Sequence, residues 1–175
     1  MDAIEIDDAA TVQAKENFDA SPWREQIRVI HADAKEFSYQ NKYDIIISNP
    51  PFYDRELKGD DTKKNLAHHN EGLLLPELMA IIKTKLNPGG TFFLLLPYKR
   101  NEEIKKMLPE NELVVSQITF VRQSVKHDYF RIMLEGKPEL TGQAETMLSE
   151  IAIRNETGEY TTSFVSLLKD YYFSL

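Results

Sequence analysis

The stretch that decides the fold is Tyr43-Asp44-Ile45-Ile46-Ile47-Ser48-Asn49-Pro50-Pro51-Phe52. Its three consecutive isoleucines leave no polar face, which predicts a strand that is covered on both sides, as in a parallel sheet. The strand ends at Ser48, and the tetrapeptide Asn49-Pro50-Pro51-Phe52 follows it directly. Because ligands of open α/β sheets bind at the carboxyl ends of the strands, we expect this tetrapeptide to lie at a binding site.

Strands and helices alternate on both sides of this stretch. Hydrophobic periodicity predicts strands at 4–6, 27–30, 43–48, 91–96, 112–120, 129–135 and 150–153. It predicts helices at 9–18, 73–86, 101–108 and 160–172, and a short helix or loop at 35–41. The alternation is typical of an α/β layered fold with a mostly parallel sheet, and two late strands without a helix between them predict an antiparallel last edge. We see no linker and interpret residues 1–175 as a single domain.

Composition excludes several classes of protein. The 175 residues include no cysteine, which excludes a disulfide scaffold, a thiolate metal site and a cysteine nucleophile. The chain has 21 basic and 28 acidic residues and a formal charge of −7, which excludes a globally basic nucleic-acid-binding coat but not a local basic patch. None of the seven glycines lies in a G-x-G-x-x-G or G-x-x-x-x-G-K loop. We find no apolar run of membrane-spanning length and no basic signal segment, so we expect a cytoplasmic protein.

The tetrapeptide offers what a planar amine substrate needs. Asn49 has a side-chain carbonyl, and Pro50 both restricts Asn49 to an extended conformation and presents its own backbone carbonyl. Two acceptors bind both hydrogens of an exocyclic NH2 group, which turns the nitrogen lone pair toward an electrophile. Pro51 keeps the turn rigid, and Phe52 supplies a flat apolar face on which a base can stack. A rigid turn without a function is the alternative interpretation.

Two upstream carboxylates fit a nucleoside ligand. Glu5 lies near the end of the first predicted strand, where an acidic side chain can bind ribose hydroxyls. Asp33 lies just past the second strand and can accept a hydrogen bond from an adenine amine. Each alone is an ordinary loop or cap carboxylate, but their occurrence at successive strand ends favours a ligand.

Other candidate residues have simpler interpretations. His68 and His69 are expected to lie in a solvated loop, and we predict no metal site. The segment 52–71 has more acidic than basic residues and is not a basic patch. A solvated face or RNA contact remains open for five residues of the late strand ends, which are Lys99, Arg100, Arg122, Lys126 and Arg131. Trp23 is expected in the core or at its rim, and Tyr171-Tyr172-Phe173 in helix packing.

The sequence resembles the class I S-adenosylmethionine-dependent methyltransferases that modify amino groups. The residues that carry this resemblance are Ile4-Glu5-Ile6-Asp7, Ala14-Lys15-Glu16-Asn17, Ala32-Asp33 and Ser48-Asn49-Pro50-Pro51-Phe52. The chain is more similar still to the bacterial tRNA-valine adenine-N6 methyltransferases, through Ser21-Pro22-Trp23, Ile46 to Pro51, Ile153-Arg154, Tyr160-Thr161 and Tyr172. The resemblance covers nearly the whole chain, while the N-P-P-[FY] motif identifies planar-amine methylation without selecting the substrate.

The resemblance implies roles for seven residues. It makes Asn49, Pro50 and Phe52 catalytic, and it assigns S-adenosylmethionine to Glu5, Asp33 and Asn49. Pro51, Phe52 and Tyr53 then contact the substrate, an adenosine of tRNA beside the anticodon. No strong general base is expected, because the proton of the product can leave late to water.

The chain departs from this family at one place. The family has a first, central strand followed by a glycine-rich cofactor loop, whereas this chain begins at the match to the second strand. We therefore expect a truncated chain that binds S-adenosylmethionine weakly or not at all. We also expect the strands at 4–6 and 43–48 to pair with each other or with another chain, because unpaired buried backbone is costly.

Two alternatives remain open. The first is another amino methyltransferase, acting on guanine N2 of rRNA, adenine N6 of DNA or glutamine N5 of a protein. The second is a fragment deficient in cofactor binding that acts only as an RNA-binding remnant.

Overall fold

The computed structural model describes residues 1–50, 73–139 and 145–172. These residues form two compact units, Met1–Gln40 and Asn41–Leu175. We call them the N-terminal unit and the C-terminal unit; the single-domain interpretation stays a prediction. Within the described ranges, no helix is long and apolar enough to cross a membrane.

The N-terminal unit is a β-α-β arrangement. Strand β1 (Asp2–Glu5) and strand β2 (Arg28–His31) pair in parallel, and helix α1 (Asp8–Asp19) connects them. Asp7 caps the helix, since its side chain accepts a hydrogen bond from the Ala10 N–H at 2.8 Å. The segment after β2 is a series of turns without a helix, so the loop interpretation of 35–41 is confirmed.

The C-terminal unit contains a five-stranded sheet. Its strands are β3 (Tyr43–Ser48), β4 (Leu86–Pro97), β5 (Leu113–Ser124), β6 (Tyr129–Pro138) and β7 (Met147–Arg154), in the order β3-β4-β6-β5-β7. The helices are α2 (Leu75–Lys85), α3 (Asn101–Glu110) and α4 (Thr162–Leu168), with a short 3₁₀ helix at Tyr98–Arg100. All strands except β6 run in the same direction. The prediction of a mostly parallel α/β sheet is therefore confirmed.

The position of the antiparallel strand is corrected. β6 lies inside the sheet between β4 and β5, and the strand at the edge is β7, which is parallel to β5. The turn after β5 folds β6 back as a hairpin, and β6 then uses its second edge to pair with β4. Sequence patterns give the hairpin but not this second pairing, because it joins residues that are distant in the chain.

The core of the C-terminal unit lies on one face of the sheet. Helices α2 and α3 contribute Met79, Ile82 and Ile104, each fully buried, and they cover alternate side chains of the central strands. These strand residues are Phe92, Leu94, Leu96, Ile132 and Leu134. The alternation follows from the two-residue period of a strand.

Strand β3 was predicted to be covered on both sides, but in the structure only one of its sides is covered. Ile46 packs against the core, whereas Ile45 is 59% and Ile47 is 74% exposed. The exposed isoleucines point to the face opposite the helices, where no described element of the C-terminal unit covers them. Among the described residues, β3 pairs with β4 and β1 pairs with β2, each within its own unit. Pairing of these strands with another chain stays a prediction.

Several element boundaries also differ from the prediction. β4 begins at Leu86, directly after α2, and not at Thr91 as predicted. Residues 87–90 form an irregularity opposite Asp44 and do not separate the helix from the strand. The N-cap residue of α3 is Arg100. The last helix ends at Leu168, and Tyr171 and Tyr172 are 82% and 58% exposed, so their assignment to helix packing is wrong. Trp23 is 57% exposed and lies outside the core.

Candidate active site

Glu5 and Asp33 lie together at one edge of the N-terminal unit. Glu5 is the last residue of β1 and lies opposite His31, the last residue of β2. The Ala32 N–H donates a hydrogen bond of 3.0 Å to the Glu5 carbonyl, and Asp33 follows immediately. The parallel pairing of β1 and β2 therefore brings two carboxylates to neighbouring strand ends, as predicted.

Both carboxylates have local partners and further acceptor capacity. One oxygen of Glu5 accepts the Asp7 N–H at 2.9 Å, and one oxygen of Asp33 accepts the Lys35 N–H at 2.9 Å. The Lys35 ammonium lies 3.6 Å from the second Asp33 oxygen. Because an ionised carboxylate offers about four lone-pair sites, each side chain can still accept a hydrogen bond from a ligand hydroxyl or amine.

Tyr39 adds an apolar ring to this edge of the N-terminal unit. Its hydroxyl donates to the Ala34 carbonyl at 3.0 Å, and its ring meets Phe37 edge-to-face with centroids 4.8 Å apart. Burial, together with the negative charge of Asp33, raises the pKa of the Tyr39 hydroxyl. Tyr39 was not among the predicted site residues.

Asn49 and Pro50 occupy the predicted position in the C-terminal unit. Ser48, the last residue of β3, pairs with Leu94 of β4, so Asn49 lies at the carboxyl end of this parallel pair. Asn49 is exposed and Pro50 is buried. Within the described part of the chain, no hydrogen bond occupies the Asn49 amide, which leaves its carbonyl available to a substrate. Pro51, Phe52 and Tyr53 lie outside the described residues, as do His68 and His69.

A cleft of about 400 Å³ adjoins Asn49 on the open face of the sheet. Phe93, Leu95 and Met133 form an apolar floor, and Gln117, Thr119 and Glu135 supply polar groups. The cleft lies within the C-terminal unit and combines flat apolar contact with hydrogen-bonding groups. Such a lining suits an aromatic ring that carries polar substituents.

An aromatic cluster lies at the same end of the sheet as Asn49, toward the carboxyl ends of β4 and β5. The ring centroids of Tyr98, Phe120 and Tyr129 are 5.0 to 6.0 Å apart. The Arg122 guanidinium lies 4.2 Å from the Tyr129 centroid, which is a cation–π contact. Glu150 accepts hydrogen bonds from the Tyr129 hydroxyl and from Arg122.

This charge arrangement shifts two pKa values in opposite directions. The pKa of the Glu150 carboxyl is lowered, chiefly because the Tyr129 hydroxyl donates to it, and the positive charge of Arg122 contributes further. The pKa of Arg122 is raised, chiefly through its interaction with Tyr129. Both shifts favour the charged forms. Sequence reasoning singled out Arg122 but missed its aromatic partners, although an aromatic residue near the end of each of three strands was a visible signal.

A metal centre finds no support in the described ranges. They contain no group of three or more His, Asp or Glu side chains arranged to hold a metal ion. The expectation of a metal-free site stays a prediction.

Comparisons with known proteins agree with this geometry. Residues 1–128 match the family model UPF0020, described as an RMKL-like methyltransferase domain. A tRNA1(Val) (adenine(37)-N6)-methyltransferase of Parabacteroides distasonis is 33% identical over 177 aligned positions, which cover 100% of this chain and 74% of the relative.

Solved structures support the same fold. A predicted O-methyltransferase from Agrobacterium tumefaciens superposes with a TM-score of 0.69 at 15% identity, covering 97% of this chain and 76% of the other. A glycopeptide N-methyltransferase complexed with S-adenosyl-L-methionine gives a TM-score of 0.54 at 12% identity, covering 78% and 72%. The match to the family model, the identity to the tRNA-modifying relative and the shared fold lead to one conclusion: the chain belongs to the class I S-adenosylmethionine-dependent methyltransferases, in the family of the tRNA1(Val) (adenine(37)-N6)-methyltransferases.

Proposed function

We propose that this protein transfers a methyl group from S-adenosylmethionine to the exocyclic N6 of an adenosine in tRNA, at position 37 beside the anticodon. The relative of Parabacteroides distasonis carries this activity in its name. The observation that carries the proposal is the placement of Asn49 and Pro50 at the carboxyl end of β3, next to a cleft with an apolar floor.

In this proposal Asn49 and Pro50 orient the target amine. The side-chain carbonyl of Asn49 and the backbone carbonyl of Pro50 each accept one hydrogen of the N6 amine. The nitrogen lone pair then leaves conjugation with the adenine ring and becomes available for attack. Holding the amine in this way supplies orientation and electrostatic preorganisation, which are large contributions to rate enhancement.

The acidic strand ends of the N-terminal unit fit the cofactor. S-adenosylmethionine, when bound, supplies a methyl group on a positively charged sulfur. Glu5 would accept hydrogen bonds from its ribose hydroxyls and Asp33 from its adenine amine. Both carboxylates lie at adjacent strand ends and have spare acceptor capacity, so their chemistry matches these donors. Asn49 is proposed to contact the cofactor as well as the target amine.

The substrate base would be held by the rest of the tetrapeptide. Phe52 is proposed to stack on the target adenine, and Pro51 and Tyr53 to contact the same nucleotide. Stacking of a base on an aromatic side chain contributes about 1–3 kcal/mol. No side chain is assigned as a strong general base, because the product proton can pass to water after the methyl group has moved.

The experiment that tests the function measures methyl incorporation from labelled S-adenosylmethionine, at saturating cofactor, into separate pools. These pools are total tRNA, rRNA, DNA and a release-factor protein, which represent the alternative amino substrates. Incorporation into tRNA at N6 of adenosine supports the proposal, and incorporation only into another pool contradicts it. Since tRNA is a cytoplasmic substrate, the proposal places the protein in the cytoplasm.

A non-catalytic role makes a different prediction in the same assay. A fragment that only binds RNA would retain tRNA in a filter-binding assay without transferring a methyl group to any pool. Binding without incorporation, at cofactor concentrations far above those usual for methyltransferases, would favour that role.

A further inference from the structure

The turn that follows β2 holds its acidic residue, Asp33, in one orientation. The Asp33 carbonyl accepts the N–H groups of Glu36 at 3.1 Å and of Phe37 at 2.9 Å. One oxygen of its carboxylate, Oδ1, accepts the Lys35 N–H at 2.9 Å. The backbone and the side chain of Asp33 are therefore both engaged by the residues that follow it.

The Lys35 N–H belongs to a peptide group that is held at its other end as well. The carbonyl of this group is that of Ala34, and it accepts a hydrogen bond of 3.0 Å from the Tyr39 hydroxyl. A peptide group is planar and almost always trans, so its C=O and N–H bonds point in opposite directions. Fixing the Ala34 oxygen therefore also fixes the direction in which the N–H points toward Asp33.

Tyr39 and Asp33 are the two ends of one series of hydrogen bonds. The Tyr39 hydroxyl donates to the oxygen of the peptide group, and the N–H of the same group donates to Asp33. Successive hydrogen bonds of this kind polarise one another, so each strengthens the other. Burial and, after it, the negative charge of Asp33 raise the pKa of the Tyr39 hydroxyl, which agrees with an electrostatic interaction between the two groups.

The side chain of Tyr39 is itself held in place. Its ring meets the Phe37 ring edge-to-face with centroids 4.8 Å apart, an arrangement that aromatic pairs prefer. The Tyr39 N–H donates to the Phe37 carbonyl at 3.0 Å, and both residues are half-buried. The hydroxyl therefore acts from a fixed point, and little further conformational entropy is lost when it holds the peptide group.

The orientation of Asp33 matters because one of its oxygens can serve a ligand. Oδ1 accepts the Lys35 N–H, whereas Oδ2 lies 3.6 Å from the Lys35 ammonium and the side chain is 23% exposed. The strength of a hydrogen bond falls steeply when donor and acceptor are poorly aligned. Oδ2 therefore accepts well from a bound amine only if the carboxylate is held at the correct angle.

We propose that Tyr39 is a positioning residue for adenine recognition: its hydroxyl, acting through the Ala34 carbonyl, orients the Asp33 carboxylate toward the exocyclic amine of adenine. Tyr39 acts through Asp33 and not by contact with the ligand. This inference rests on the proposed function, in which Asp33 binds the adenine of S-adenosylmethionine, and adds the group that makes this acceptor selective. Inosine has a carbonyl oxygen in place of the amine, so a carboxylate in this orientation disfavours inosine.

The test measures the selectivity of the full chain between adenosine and inosine. Each nucleoside is titrated into isotope-labelled protein, and its Kd is obtained from the shift of the Lys35 amide signal in nuclear magnetic resonance. The variant Tyr39→Phe keeps the ring and removes only the hydroxyl. Tyr160→Phe is the matched control, since the Tyr160 ring stacks on Phe164 and its hydroxyl has no hydrogen-bond partner among the described residues. Thermal unfolding verifies that both variants are folded.

The unmodified chain is expected to bind adenosine about tenfold more tightly than inosine, because only the amine makes a charge-assisted hydrogen bond with the carboxylate. In Tyr39→Phe this preference should fall to about twofold, chiefly through weaker binding of adenosine. Tyr160→Phe should keep the full preference. A merely structural role of Tyr39 would weaken both nucleosides equally, and an unchanged preference would overturn the inference. A lack of adenosine binding or of any preference in the unmodified chain would overturn it as well.

A second measurement follows the series of hydrogen bonds without a ligand. Hydrogen exchange of the Lys35 amide reports how firmly its N–H is held by Asp33. Tyr39→Phe is expected to accelerate this exchange about threefold, because the peptide group loses the bond at its oxygen. Tyr160→Phe should leave the exchange rate unchanged. Equal rates in the two variants would contradict the link between Tyr39 and Asp33.

The outcome is separable from that of the proposed function. Selectivity for adenosine that depends on Tyr39, without methyl incorporation into tRNA, would keep the inference and contradict the function. In the methylation assay, Tyr39→Phe is expected to raise the KM for S-adenosylmethionine and to leave kcat unchanged. Methyl incorporation with an unchanged KM in this variant would leave the function intact and remove the inference.

Discussion

The Arg122 guanidinium lies 4.2 Å from the centroid of the Tyr129 ring. The hydroxyl of the same tyrosine donates a hydrogen bond to Glu150, which also accepts from Arg122. Cation, ring and carboxylate therefore form one connected group that joins β5, β6 and β7. Each member fixes the orientation of the other two.

Glu150→Gln is expected to destabilise the fold in a pH-dependent way. The pKa of Glu150 is lowered in the folded state, so its ionised form stabilises the fold above the ordinary range of a glutamate. This stabilisation is lost as the pH falls from that range through the lowered pKa of the folded state. In urea unfolding, the free energy of unfolding of the variant should be lower than that of the unmodified chain at about pH 7 and equal to it at about pH 3. An equal difference at both values would contradict this, and Glu110→Gln on the exposed side of α3 is the control.

Gly136→Ala is expected to destabilise the C-terminal unit by about 1–3 kcal/mol. A Cβ atom at this position would lie 2.2 Å from a Phe92 ring carbon and 2.7 Å from the Val114 carbonyl oxygen. Phe92 is completely buried, so its ring has little room to move. Gly89→Ala is the matched control, since a Cβ there meets nothing within 4 Å. Chemical denaturation of both variants measures the effect, and equal free energies of unfolding would refute the close contact.

Asn49→Ala is expected to lower methyl transfer into tRNA by about 10²–10³, the usual cost of removing one preorganised polar group. RNA affinity should remain within about twofold, because the replacement removes no charge from the protein. Single-turnover incorporation of labelled methyl groups at saturating cofactor separates the two effects. Turnover near that of the unmodified chain would show that the assigned role is wrong. Asn87→Ala, an exchange of the same type on β4, is the control.

The chain is expected to bind S-adenosylmethionine weakly, and Glu5→Gln and Asp33→Asn are each expected to weaken that binding about tenfold further, because a charge-assisted hydrogen bond becomes a neutral one. Both replacements keep an oxygen acceptor for the local N–H partners at Asp7 and Lys35. Titration calorimetry measures the affinity, with Asp19→Asn at the end of α1 as the control. An affinity equal to that of the control in both variants would argue against these residues as ligands.

The local parts of this architecture were predictable from sequence. Strand and helix order and the placement of Asn49 after β3 depend on residues that are close in the chain. Short-range patterning specifies these features, and the structure confirms them.

Long-range pairing was not predictable in the same way. The insertion of β6 between β4 and β5 depends on which distant edges meet. The predicted strand began at residue 91, but an irregularity opposite Asp44 lets β4 begin at Leu86, and the Asn87 amide donates to the Asp44 carboxylate at 2.7 Å. Likewise, Ile45 and Ile47 were expected to be buried because an apolar run does not reveal which of its faces has a neighbour.

The exposed isoleucines of β3 have a consequence for handling the protein. An apolar strand edge is a template for intermolecular pairing and aggregation. Asn49 directly follows β3, so association of this strand with another molecule would obstruct access to the proposed amine-binding position. A loss of methyl transfer that occurs only at high protein concentration is the expected sign of such association.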